Sequence, residues 1–172
     1  MCITLTHILT WDLTSTPLYQ FLRHSLSDKN NKTKFKLLYS NVTEKDILLR
    51  EELEALQKKH PKNLEIVFVL DNPSEGWKGP TGFISAELIK KHVSPPSLQD
   101  KVKIFICGTQ YTRRILPIFF YLAPNIGPPG QVAAISGKKD GMKQGEVGGV
   151  LKELGYTEDQ VSSQEKKLFN RH

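Results

Sequence analysis

Three short apolar runs in this sequence each end in residues that could meet a ligand. Phe35–Tyr39 runs into Ser40-Asn41-Val42-Thr43, Leu64–Leu70 into Asp71, and Val102–Cys107 into Gly108. The first junction leads into a helix start, whose unpaired N–H groups and dipole favour a phosphate or another polar group. Taken alone, Asn41 and Thr43 are better explained as caps of that helix. Asp71 could accept hydrogen bonds from ribose hydroxyls and would repel a 2′-phosphate, favouring NAD over NADP. Asp71-Asn72-Pro73 is equally a good turn opener. Cys107, at a strand end, could neighbour a hydride-transfer site, although a small apolar core residue is the better reading without further context. No G-x-G-x-x-G, P-loop or nucleophile elbow is present. Gly145-Glu146-Val147-Gly148-Gly149 reads as a close-packed helix start rather than a phosphate cradle.

These residues need a scaffold that brings strand ends together. The three apolar runs are short, rich in β-branched or aromatic residues, and preceded by polar turns, so each predicts a buried strand. Thr43-Glu44-Lys45-Asp46 has the shape of a capping box. Leu49, Leu53 and Leu56 then line one face of a predicted helix that ends near Lys59, with Pro61 closing it. Further helices are predicted from Pro17 to Leu26, from the N-cap Ser85 to His92, and from about Gly145 to Leu154, where Gly155 stops it. Strands alternating with helices imply parallel βαβ units. In such sheets ligands bind beyond the carboxyl ends of the strands.

The totals set bounds. A chain of 172 residues with 38% hydrophobic and 24% charged side chains is one ordinary globular domain. The net charge of +6 could attract nucleic acid, a membrane surface or an acidic protein. The Lys and Arg residues are spread along the whole length, however, so a solvated surface is the simpler reading. Cys2 and Cys107 make neither a disulfide framework nor a metal site, which points to a reducing compartment and a cytoplasmic chain. The longest apolar stretch, Ile115–Ile126, contains Pro117 and Pro124 and falls short of the roughly 20 residues of a spanning helix. No membrane span and no nucleic-acid site are expected.

Several stretches together resemble the NADH-cytochrome b5 reductase family. They are Lys36 through Leu53, Val69-Leu70-Asp71-Asn72-Pro73 with Gly76-Trp77 and Gly82-Phe83-Ile84, then Gly127-Pro128-Pro129-Gly130, and Gly145 through Gln160. They occur in the family's order. The resemblance implies an α/β fold with a parallel sheet and flanking helices, the NAD-binding domain of ferredoxin reductase-like flavoproteins. It implies that the domain binds NADH and presents the nicotinamide to FAD, from which electrons pass singly to an acidic haem protein such as cytochrome b5. By the same resemblance Asp71 disfavours the 2′-phosphate and Phe83 flanks the nucleotide. Cys107, followed by Gly108, stands beside the hydride-transfer site and orients rather than reacts. Thr16-Pro17 end the pyrophosphate loop, and Pro128-Pro129 belong to the family's proline-rich turn after the third predicted strand; Asn41 is a candidate cofactor-binding residue from its place after the first. Family members are anchored at the endoplasmic reticulum or mitochondrial outer membrane, facing the cytosol.

The sequence departs from the family pattern in three places. It shows no flavin-binding barrel and no Arg-x-Tyr-Ser-type motif, so the FAD half is expected to be absent, or supplied by a separate flavin domain. Trp11-Asp12-Leu13-Thr14-Ser15 stands where a glycine-rich pyrophosphate loop is expected. An apolar run, 109–126, separates Cys107-Gly108 from the proline-rich turn. The expected organisation is a non-family segment 1–15, an NAD-binding domain 16–161 carrying the insertion, and a tail 162–172. Alone, the chain is expected to carry no flavin and reduce no acceptor. The alternatives are a non-catalytic truncated remnant or an interaction module using the apolar insertion.

Overall fold

Alternation along the apolar runs divides their side chains between two faces of one sheet. The structure, a computed structural model, describes residues 5–11, 15–107, 131–137 and 146–163. At 5–11, 15–17, 100, 107, 131–133 and 162–163 it describes the backbone alone. Five parallel strands form the sheet: β1 (Leu5–Trp11), β2 (Lys34–Asn41), β3 (Leu64–Leu70), β4 (Val102–Cys107) and β5 (Val161–Ser163). Their order is β3-β2-β1-β4-β5. The expected parallel sheet with flanking helices is therefore present, and its three predicted strands are β2, β3 and β4.

Two strands were not expected. Leu5–Trp11, within the segment set apart as 1–15, forms the central strand, paired with β2 on one side and β4 on the other. Val161–Ser163 adds an edge strand beside β4. Leu5–Trp11 interleaves Thr6, His7 and Thr10 with its apolar residues, and a three-residue strand has no periodicity to detect.

Helices cover both faces. α1 (Ser15–Ser27) and α2 (Arg50–Lys59) pack Leu18, Leu22, Leu26 and Leu53 against Leu37 and Tyr39 of β2. α3 (Ala86–His92), α4 (Gln131–Ser136) and α5 (Gly149–Glu153) pack Ile89, Ile135 and Leu151 against Leu38, Ile104 and Ile106. Crossovers on opposite faces require the chain to wind outward in two directions from β1. The turning point lies between β1 and β4.

Helix starts needed two corrections. The Asp46 carboxylate accepts from both the backbone N–H and the hydroxyl of Thr43, at 2.9 and 2.6 Å. It caps a single 3-10 turn, Glu44–Asp46, instead of the α-helix. α2 starts at Arg50, after Leu49 adopts a left-handed conformation (φ 56°) that redirects the chain. The last predicted helix is shorter than expected: Gly148 is extended and α5 begins at Gly149. Ser85 caps α3 as expected, its hydroxyl accepting from the Leu88 N–H at 3.3 Å. Among the described residues no helix is long and apolar enough to cross a membrane.

The end of α3 carries a pH-sensitive group. His92 is half-buried and its Nε2 has no hydrogen-bond partner among the described residues. Desolvation, followed by the positive charges of Lys36 and Lys91, lowers its pKa, with Glu65 opposing. The unfolded chain therefore binds a proton more readily than the folded one. This contribution to stability is full above the unfolded pKa, about 6.5, and is lost as pH falls through the depressed folded value. Thermal midpoints measured from pH 8 to pH 5 should fall faster for the wild type than for His92→Gln below about 6.5. Parallel curves for the two proteins would rule the effect out.

Candidate functional site

In a parallel sheet all carboxyl ends lie on one edge, and the crevice opens where the winding direction reverses. Here that reversal lies between β1 and β4. Cys107 ends β4 opposite Thr10 of β1. α1 begins at Ser15, four positions beyond Trp11, with no acidic residue in its first turn. Its start therefore offers the backbone N–H groups of Ser15, Thr16 and Leu18 (Pro17 has none) and a positive dipole end at the crevice.

Asn41 and Asp71 stand on the same edge. Asn41 closes β2 in register with Leu70, the last residue of β3. The ladder continues one step further, because Asp71 N–H donates to Asn41 O at 3.0 Å and Asn72 N–H to Val42 O at 2.8 Å. The two loops thus leave the sheet side by side. Strands stand about 4.8 Å apart, so Cys107, two strands from Asn41, lies roughly 10 Å away along the edge. Asn41, Asp71, Cys107 and the start of α1 share one edge, as a single crevice requires.

The Asn41 side chain is the least settled group there. It is only 3% exposed, and neither its Oδ1 nor its Nδ2 has a hydrogen-bond partner among the described residues. A buried amide without partners costs about 1–3 kcal/mol, and a ligand or an ordered water that reached it would remove that cost. Helix capping, the simpler reading of the sequence, does not account for it. Asn41 caps nothing: the turn that follows is capped by Thr43 and Asp46.

The loop after β3 returns to its own strand. Leu70 N–H donates to Pro80 O (3.2 Å) and Gly82 N–H to Leu70 O (2.8 Å). Inside it the Trp77 indole donates to Pro80 O at 3.2 Å and its ring covers Gly79, where a Cβ would meet it at 2.6 Å. The loop delivers Phe83 to the surface, 54% exposed, beside a depression of about 190 Å³ shared with Thr81, Ser85 and Leu88. An exposed ring beside a shallow hollow can stack on a flat group.

A surface network ties this loop to the turn after β2. Glu44 accepts from Ser74 Oγ at 2.6 Å and from Arg50 at 3.0 Å, and Arg50 also donates to Glu54 at 3.0 Å. The Ser74 hydroxyl, and then Arg50, hold the Glu44 carboxyl below its usual pKa. Exposed pairs contribute little to global stability, so the network acts locally, on loop position. Ser74→Ala should raise amide hydrogen exchange over residues 72–77 about fivefold, leaving β2 and β3 unchanged. Unchanged exchange in the loop would show that Trp77 and the Leu70 bonds hold it alone.

Sequence reading named Asn41, Asp71, Phe83 and Cys107 as candidates but did not name this network. Arg50 and Glu54 are a visible i,i+4 pair, whereas Ser74 and Glu44 are 30 residues apart. Gly108, Pro128, Pro129 and the apolar run 109–126 lie outside the described residues. Among the described residues no His, Cys, Asp and Glu cluster could hold a metal.

Comparison with known proteins agrees with this geometry. Residues 14–113 match the oxidoreductase NAD-binding domain family. NADH-cytochrome b5 reductase 2 of Aspergillus terreus is 44% identical over 147 residues, 85% of this chain and 40% of the relative. That of Emericella nidulans is 43% identical over the same share of this chain and 39% of its own length. This chain thus spans well under half of these relatives. Among solved structures, the cytochrome b5 reductase domain of Ulva prolifera nitrate reductase matches with TM-score 0.68 and 25% identity, over 94% of this chain and 50% of that one. The CS-b5R domains of human Ncb5or, in the NAD+ form, match with TM-score 0.62 and 26% identity, over 94% of this chain and 36% of theirs. With its β3-β2-β1-β4-β5 parallel sheet, the chain belongs to the oxidoreductase NAD-binding domain family, as the NAD-binding domain of NADH-cytochrome b5 reductase-like oxidoreductases.

Proposed function

We propose that the chain binds NADH along the carboxyl edge of its sheet and presents it to FAD, in a reductase whose acceptor is a cytochrome b5-like haem protein. The observation that carries this reading is Asn41, a buried amide that lacks partners among the described residues on the edge where this fold takes its ligands. The other residues fit the parts of such a ligand. The start of α1 suits a diphosphate, Asp71 a ribose diol, and Phe83 the flank of a flat ring. Cys107, which ends the strand across the crevice, suits the nicotinamide end, and the family resemblance assigns Gly108, Pro128 and Pro129, outside the described residues, to the same end.

When bound, the reduced dinucleotide supplies a hydride, and the residues of this chain hold and orient it. FAD and the haem acceptor enter through the family, because the chain spans 40% of the relative's length.

Fluorescence titration of the purified chain with NADH and NADPH tests the reading. Micromolar affinity for NADH and weaker affinity for NADPH are expected, and no binding of either would overturn it. Asp71→Ser removes the charge that repels a 2′-phosphate. It should raise NADPH affinity about tenfold while changing NADH affinity far less. An unaltered preference would remove Asp71 from the site.

A further inference from the structure

The lysines that are scattered in sequence are gathered by the fold on the amino edge of the sheet. Lys29, Lys32 and Lys34 occupy the connection into β2 and its first residue, all exposed. Lys58 and Lys59 end α2, and Lys62 lies in the turn into β3, again exposed. These two connections touch: Phe35 N–H donates to Asn63 O at 2.7 Å, and Asn63 Nδ2 to Thr33 O at 3.1 Å. Lys90 and Lys91, also exposed, end α3, which packs on the other face of the sheet. The acids within this stretch of edge are Asp28 and Glu65. Glu65 is paired with Lys36 at 2.9 Å, and Asp28 accepts from the Asn30 N–H.

Among the described residues, the carboxyl edge of this half has the opposite sign. Glu44, Asp46, Glu51, Glu52, Asp71 and Glu75 gather there, against Lys45, Lys78 and the doubly paired Arg50. Helix dipoles explain part of the division, since acids suit first turns and bases last turns. They do not explain Lys32, Lys34 or Lys62, which lie outside the helices. The candidate site lies on the carboxyl edge, so the lysine edge is not part of it.

We infer that the amino edge of the β2–β3 half is a docking surface for an anionic phospholipid membrane. Its charges are lysine ammonium groups, hydrated point charges suited to a diffuse negative surface. Arginine forks and stacked aromatics, the usual means of reading nucleic acid, are absent from these connections. Three connections from both sides of the sheet offer a broad edge, which suits a plane better than a groove would. The acidic edge would be repelled, so the chain docks with its candidate site turned toward solvent.

Co-sedimentation of the purified chain with vesicles tests this. Binding is expected to phosphatidylcholine vesicles containing about 30% phosphatidylserine at about 50 mM salt, and not to phosphatidylcholine alone or at about 500 mM salt. The double variant K58E/K59E should lower the partition coefficient at least about tenfold, while K45E/K78E, with the same change in net charge, should retain most of it. Equal losses in the two variants would overturn the inference by making net charge sufficient. Absence of vesicle binding would also overturn it, and binding of soluble polyglutamate in that case would point to an acidic protein instead. None of these readouts involves a nucleotide, so they stand or fall apart from NADH binding.

Discussion

Asn41→Leu should make the protein more stable and a poorer NADH binder. Leucine nearly matches asparagine in shape and removes two buried polar atoms that have no partner among the described residues. Relief of that desolvation is worth about 1–2 kcal/mol, or roughly 2–8 °C in the thermal midpoint of a chain this size. The ligand loses hydrogen bonds made in a dry site and meets apolar atoms in their place, so affinity should fall about thirtyfold. Opposite signs in the two measurements are the mark of a group kept for a ligand. An ordinary core asparagine would lose stability on substitution, and a surface residue would change neither. A lower midpoint with unaltered NADH affinity would show that the amide is satisfied within the chain, and the proposed site would lose its main support.

Much of the framework was legible because local pattern and tertiary demand coincide. β2 and β4 lie inside the sheet between helix layers and β3 is half-buried at its edge, and the near-continuous apolar runs of all three announce strands. β1 is equally central but obtains its place from its neighbours rather than from its own pattern, which His7 and two threonines blur. Thr43 and Asp46 announce a capped turn, but whether an α-helix follows at once depends on Leu49, whose left-handed conformation no propensity foretells. For the candidate site, Asn41 and Asp71 could be named because each ends a strand, and parallel pairing puts strand ends together. The link between Ser74 and Glu44 and the gathering of lysines on one edge depend on which strands are neighbours. Sequence order does not contain that, since β1 separates β2 from β4 in space but precedes both in the chain.

Gly149→Ala should be among the most damaging single substitutions in the described fold. Gly149 holds φ at +54°, and an added Cβ would collide with the carbonyl oxygen of Ala134 and lie 2.7 Å from its carbon. Gly148 and Gly137 meet in the same place, where a Cβ on either would stand within 2.8 Å of the other's backbone. α4 and α5 therefore touch backbone to backbone, and this contact brings Ile135 and Leu151 onto β4. Left-handed backbone costs a residue with a Cβ about 1–2 kcal/mol, and forcing the helices apart costs about 1–3 more, so a loss near 3 kcal/mol is expected in chemical denaturation. Gly76→Ala separates the two contributions, because Gly76 has φ +93° with nothing within 4 Å of a Cβ. It should lose only the conformational part, about 1 kcal/mol. The pair also decides what the glycine cluster is for. A phosphate cradle would lose nucleotide affinity in Gly149→Ala with stability largely kept, whereas a packing contact loses stability first.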